Sequence, residues 1–149
     1  MHRLSLIAAL TLAACQGPAA ESSATPLLQQ AYEQLLSIRS FAFGATGRAG
    51  MSSPGEHSFR TLAATTNGLP LFKAALTNGT TEAKLYALCG IRHLAPEQFD
   101  ALAEPVTTAD ARVSLMVGCI QMQMRASNIV AQIKSGSYDD WFPGEKCRP

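Results

Sequence analysis

Apolar residues recur at helical spacing along most of the chain. Leu28, Tyr32, Leu35 and Leu36 share one face at intervals of three and four, behind Thr25-Pro26, a capping threonine followed by a proline suited to a first turn. This predicted helix fades by Ser40. Ser53-Pro54-Gly55-Glu56 has the form of a capping box, with Ser53 as N-cap and Glu56 reaching back to its amide. It opens a helix expected to run to about Thr65, with Phe59, Leu62 and Ala63 inward. Asn67-Gly68 ends that helix, and Pro70 starts a short one carrying Leu71, Phe72, Ala75 and Leu76, closed by Asn78-Gly79.

Thr80-Thr81-Glu82 opens the strongest helical pattern, running to about His93. Ala83, Leu85, Tyr86, Ala87, Leu88, Cys89 and Ile91 surround most of its circumference, and a helix apolar nearly all round is a buried one. Pro96 then begins a short helix with Phe99, Leu102 and Ala103, which Pro105 is expected to stop. The run Val113–Met124 is ambiguous: Ile120-Gln-Met-Gln-Met124 alternates like a half-buried strand, Gly118 weakens a helix, and Thr107/Thr108 are suited to cap one. The expectation is a helical turn followed by an extended segment. A last helix spans Ala126–Lys134, with Ile129, Val130 and Ile133 on one face and Gly136 closing it. The tail from Ser137 to Cys147 reads as an ordered loop laid back on the domain. The predicted fold class is mainly α: a single small bundle of five to six short helices, with one or two short strands near 113–124.

Composition supports one globular domain. Apolar residues make up 47% of the chain and charged residues 15%, which argues against disorder. Twelve Lys/Arg against eleven Asp/Glu leave it almost neutral. The basic residues are spread singly from Arg39 to Arg148, so no nucleic-acid footprint is present.

The first residues follow a different logic. Met-His-Arg precedes an apolar run, Leu4 to Ala14, that is too short to cross a bilayer and has the form of a secretory signal. Leu12-Ala13-Ala14-Cys15 resembles the lipobox of bacterial prolipoproteins. That resemblance implies cleavage before Cys15, a lipid on its thiol, and stable membrane attachment. It divides the chain into a signal peptide (1–14), a lipidated flexible tether (15–25) rich in small polar residues, and one helical domain (26–149). Gln16 stands where an Asp would signal inner-membrane retention, so the resemblance implies the periplasmic face of the outer membrane. Residues 80–104 also resemble one unit of the HEAT-like α-repeats, without a second copy at a fixed period.

An oxidising periplasm would favour a disulfide among Cys89, Cys119 and Cys147. Three pairings are possible. Cys89–Cys119 is favoured because both lie in apolar stretches expected to meet in the core; Cys119–Cys147 is the runner-up. Either loop would contribute roughly 3–4 kcal/mol in the chain-entropy model.

Candidate chemistry is sparse. Cys89 and His93 share a helical face, as a thiol and its base would, with His57 able to approach from another helix. Two ligands do not make a zinc site. A buried structural cysteine and a histidine favoured at a helix C-terminus account for the same spacing. Gly44, Gly47 and Gly50 beside Arg48 lack the strand and the Lys-Ser/Thr ending of a phosphate loop, so a loop packed closely on a helix is expected. Asp139-Asp140, with Glu56 or Glu104, would be needed for paired-carboxylate hydrolysis, but turn chemistry explains them. Met116, Met122 and Met124 with Cys119 offer soft copper ligands, although core packing explains methionine as well. No catalytic residue, metal or cofactor is assigned. The expected function is a non-enzymatic protein-binding module of assembly, adaptor, inhibitor or immunity type. Its partner would be an envelope protein, with Tyr138, Trp141 and Phe142 as contact anchors unless those rings close the core. The alternative is an envelope enzyme using the Cys/His pair.

Overall fold

A computed structural model describes residues 24–143. Cys15, the signal segment and Cys147 lie outside the described residues. The elements are α1 (Ala24–Leu36), α2 (Pro54–Ala63), α3 (Gly68–Asn78), α4 (Thr81–Leu94), α5 (Phe99–Ala109), β1 (Arg112–Val117), β2 (Ile120–Arg125) and α6 (Ala126–Lys134), with 3-10 turns at Pro96–Gln98 and Asp139–Trp141. The fold is mainly helical with one short antiparallel hairpin, as the sequence pattern implied.

Helix α4 is the axis of the bundle. Eight of its residues are buried, Ala83 and Leu85 through Ile91, and α2, α3, α5, α6 and β1 all pack on it. Thr80 caps it by accepting the Ala83 amide at 3.1 Å, as its sequence position requires. Gly90 lets α3 approach: a Cβ there would stand 2.4 Å from the Phe72 ring. Around this axis Leu35, Phe59, Leu62, Phe72, Val113, Ile129 and Ile133 complete the core.

Several boundaries differ from expectation for identifiable reasons. Helix α1 starts at Ala24, before the proposed Thr25 cap, and α3 starts at Gly68 rather than Pro70. Helix α2 ends at Ala63, where the Ala64 amide turns back to the Arg60 carbonyl. Pro105 does not stop α5, which continues to Ala109 and closes on Asp110 in the left-handed region. Pro105 lacks an amide for the Ala101 carbonyl, but both residues are exposed, so the break in the ladder lies on the outer side of the helix rather than in the core. Continuing the helix buries Val106 beside Phe99 and Ala103, and that decides the outcome.

The expected helical turn at 113 is instead β1. Val113, Leu115 and Val117 alternate onto one face, and Gly118-Cys119 forms a two-residue loop joining Val117 to its partner Ile120. Gly118 alone in that loop has positive φ, +57°, which places the glycine at the first central position of a type II′ turn. The far edge of β1 is taken by Phe41, whose amide donates to Ser114 O at 2.8 Å and whose carbonyl accepts the Met116 amide at 3.0 Å.

Two stability outcomes are expected. Gly90→Val should lower unfolding stability by about 1–3 kcal/mol, because the new side chain enters the Phe72 ring. Pro105→Ala should raise it by about 1–2 kcal/mol, since the recovered helical bond outweighs the looser unfolded chain. Denaturant titration of both variants reads each sign directly.

Candidate functional site

The densest polar cluster lies where residues 41–44 pass between α2 and α4. Both main-chain groups of Ala42 are claimed by side chains. Its amide donates to the Tyr86 hydroxyl at 2.9 Å, while its carbonyl accepts Tyr86 Oη at 2.6 Å and Ser53 Oγ at 2.8 Å. Ser53 also accepts the Glu56 amide at 3.0 Å, which is the outgoing half of the expected capping box. The return half is absent. The Glu56 carboxylate, 1% exposed, instead accepts the Gly44 amide at 2.8 Å and faces Arg60 Nη2 at 2.8 Å. Buried carboxylates need such partners, and the glycine loop supplied a better one than the helix's own first turn.

The proximity of Ser53 and Tyr86, 3.1 Å apart, superficially suggests a nucleophile with its base. The chemistry does not follow. Burial pushes the Tyr86 phenol up to about 12, with its hydrogen bonds to Ser53 and Ala42 opposing, so it cannot serve as a base near neutral pH. The Ser53 hydroxyl is occupied as donor and acceptor. This cluster is a clamp that holds the 41–44 segment in place.

Cys89 is 1% exposed, and burial, then the Asp139 carboxylate, push its thiol well above the usual range despite the opposing Arg92 charge. A reactive cysteine needs the thiolate, so this thiol is a poor nucleophile. His93 points outward and stacks on Phe142, with ring centroids 4.1 Å apart and planes at 10°. His57 is exposed on α2, in a shallow groove shared with Leu27, Gln30 and Gln34 of α1. The thiol and imidazoles are therefore not assembled as a catalytic pair.

The expected Cys89–Cys119 bond is not formed. Both cysteines are free: Cys89 is sealed in the core, while the hairpin turn carries Cys119 into solvent. An apolar neighbourhood in sequence misled here because the turn between two strands projects outward from the body.

The tail places Tyr138, Trp141 and Phe142 against the core. Tyr138 packs on Phe41 at 5.2 Å and donates to Gln132 at 2.8 Å. Trp141 stacks on Phe43 at 6.3 Å and covers Gly44, where a Cβ would stand 2.7 Å from the indole. Phe142 is 4% exposed against Phe59. Phe142 is buried and is no surface anchor, while Tyr138 and Trp141 are half-buried, each with its ring against the aromatic cluster. Asp139 pairs with Arg92 at 3.0 Å, which occupies the carboxylate that paired hydrolysis would need. The glycine loop, expected against a helix, packs on this tail at Gly44 and on the hairpin at Gly47, whose amide donates to Gly118 O at 3.0 Å.

The hairpin is the exposed feature that sequence reasoning did not assemble. Register pairs Val113 with Met124, Leu115 with Met122 and Val117 with Ile120. All six therefore lie on the face that Val113 and Leu115 direct into the core. Toward the tip this face outruns the body, leaving Val117 56%, Ile120 64% and Met122 38% exposed, with Met51 nearby on the loop that leans on the hairpin. Met116 falls on the opposite face from Met122 and Met124, which separates the proposed soft-ligand set. Among the described residues no group of three His, Cys, Asp or Glu side chains is placed to hold a metal ion. The Val-x-Leu-x-Val alternation ending in Gly118 was the available sequence signal.

A second concave region lies between α3, α4 and α5. It is a groove of about 350 Å³ lined by Leu76, Leu102, Pro105 and Val106, with Lys73 and Lys84 at its sides. No described helix is long and apolar enough to cross a membrane. Compared with family models, curated proteins and solved structures, the chain matches none.

Two measurements follow from these environments. In the native protein Cys119→Ser should remove one fast-reacting thiol. Cys89→Ser should remove none until denaturant is added; rapid native labelling of Cys89 would contradict its burial. The phenol of Tyr86 ionises near 10 when unfolded and near 12 when folded. The folded state therefore holds its proton longer, and stability falls as pH rises from about 10 to 12. Tyr86→Phe should reduce the alkaline loss without abolishing it, because burial also pushes the Tyr138 phenol up to about 12. At neutral pH it should cost about 1–3 kcal/mol by leaving the buried Ala42 amide unpaired. Unfolding curves at neutral and alkaline pH test both parts.

Proposed function

We propose that this chain is a lipid-anchored lipoprotein of the bacterial cell envelope. Its helical domain acts as a non-enzymatic protein-binding module on the periplasmic face of the outer membrane. The observation that carries the anchor is the apolar run Leu4–Ala14 ending in Leu12-Ala13-Ala14-Cys15, with Gln16 next. Two or three acyl chains on one thiol hold a protein to a bilayer without any membrane-spanning helix.

Protein binding is supported by where apolar surface is left. Of the tail rings expected as anchors Phe142 is buried and Tyr138 and Trp141 are half-buried, whereas Val117, Ile120 and Met122 form a contiguous exposed strip on a projecting hairpin. Clustered exposed apolar side chains on a small domain mark interaction sites. The adaptor, inhibitor and immunity roles all use such a surface. The buried, protonated Cys89 gives the thiol-enzyme alternative no support.

Metabolic labelling of the full chain with a fatty-acid analogue should modify the wild type and leave Cys15→Ser unlabelled and released from membranes. A wild-type product that retains Met1 and carries no acyl group would refute the anchor. Ile120→Lys with Met122→Lys should keep the helical spectrum and reduce recovery of crosslinked envelope partners at least about tenfold.

A further inference from the structure

We infer that the open edge of β2 pairs with β2 of a second copy of this chain, antiparallel, about a two-fold axis at Met122. The inference rests on the reading of the hairpin as the contact surface and names its partner. Phe41 bonds Ser114 O and the Met116 amide, so residues 114 and 116 of β1 face away from β2. Val113, Leu115 and Val117 therefore bond to Met124, Met122 and Ile120. The amides and carbonyls of Gln121, Gln123 and Arg125 point outward, and among the described residues no strand pairs with them. An exposed strand edge of this kind is a template for another strand.

The edge is complementary to itself. A strand that extends this sheet must carry apolar residues on the face of Ile120 and Met122 and polar ones on the other. β2 has that pattern: Ile120, Met122 and Met124 against Gln121, Gln123 and Arg125. Antiparallel pairing about Met122 sets Gln121 opposite Gln123 of the second copy, so their outward main-chain groups bond. It sets Ile120 opposite Met124 and joins the two exposed strips into one apolar face. Arg125 falls opposite Cys119 of the second copy. The two Arg125 residues stand six positions apart, roughly 20 Å, beyond the screening length at physiological salt. β2 carries no acidic residue and only this terminal charge, so nothing in it calls for a charged foreign strand. Copies anchored to one membrane would also meet at raised local concentration.

Sedimentation equilibrium of the full chain, in detergent if acylated, should show a monomer–dimer equilibrium between roughly 1 and 500 µM. Gln123→Pro removes an outward amide without touching the β1–β2 ladder. It should weaken the dimer about thirtyfold, since each copy loses a hydrogen bond, while the circular dichroism and melting curve persist. If that variant misfolds, Met122→Lys takes its place with the same expectation. In a Cys119→Ser background, Met122→Cys should oxidise to a covalent dimer, because facing residues on the axis lie within disulfide reach. Met124→Cys, whose partner is Ile120, should not. A monomer throughout the range, or a dimer indifferent to the folded edge variants, overturns the inference. So does Met122→Cys crosslinking only to a different envelope protein, although that result leaves the protein-binding reading standing.

Discussion

The structure depends on the attachment of the 41–44 segment to Tyr86. One phenolic hydroxyl satisfies both main-chain groups of Ala42 inside an aromatic cluster, where an unpaired amide or carbonyl would be costly. That attachment holds Phe41 against β1, and Phe41 supplies the hydrogen bonds that close the inner edge of the hairpin. It also holds Gly44 where Glu56 can accept its amide and Trp141 can lie over it. The central helix, the irregular segment, the hairpin and the tail are thereby joined through a few short contacts.

This arrangement explains why the residues most suggestive of chemistry do not perform it. Ser53, Tyr86 and Glu56 are occupied in holding main chain. Cys89 is sealed in the core, and burial first, then the charge of Asp139, holds the proton on its thiol. Asp139 is paired with Arg92. The same contacts that exhaust these groups leave the outer edge of β2 without a strand partner among the described residues and the hairpin's tip apolar. Exposed apolar side chains and unpaired main chain therefore coincide on the outer side of the hairpin.

An edge of this kind would suit the lipid-tethered role proposed above. Strand pairing draws affinity from repeated main-chain bonds and register from alternating side chains, and it needs no deep pocket. A single short strand alone supports only modest affinity, which restriction of both partners to one membrane would raise.

Local patterns in the sequence determined the helical class, the burial of most of α4, the Ser53 and Thr80 caps and the bounds of α6. Each depends on neighbours within one or two turns. Tertiary structure alone decided the rest. Pro105 stays inside α5 because Val106 gains a core position while Ala101 and Pro105 lie on the exposed side. Glu56 turns from its own helix because Gly44 arrives from elsewhere in the chain. Cys119 is exposed because two strands close on each other beside it, and the tail rings face inward because Phe41, Phe43 and Phe59 are there to receive them. These outcomes depend on groups distant in sequence competing for the same hydrogen bonds and the same buried volume, and no local pattern encodes which of them wins.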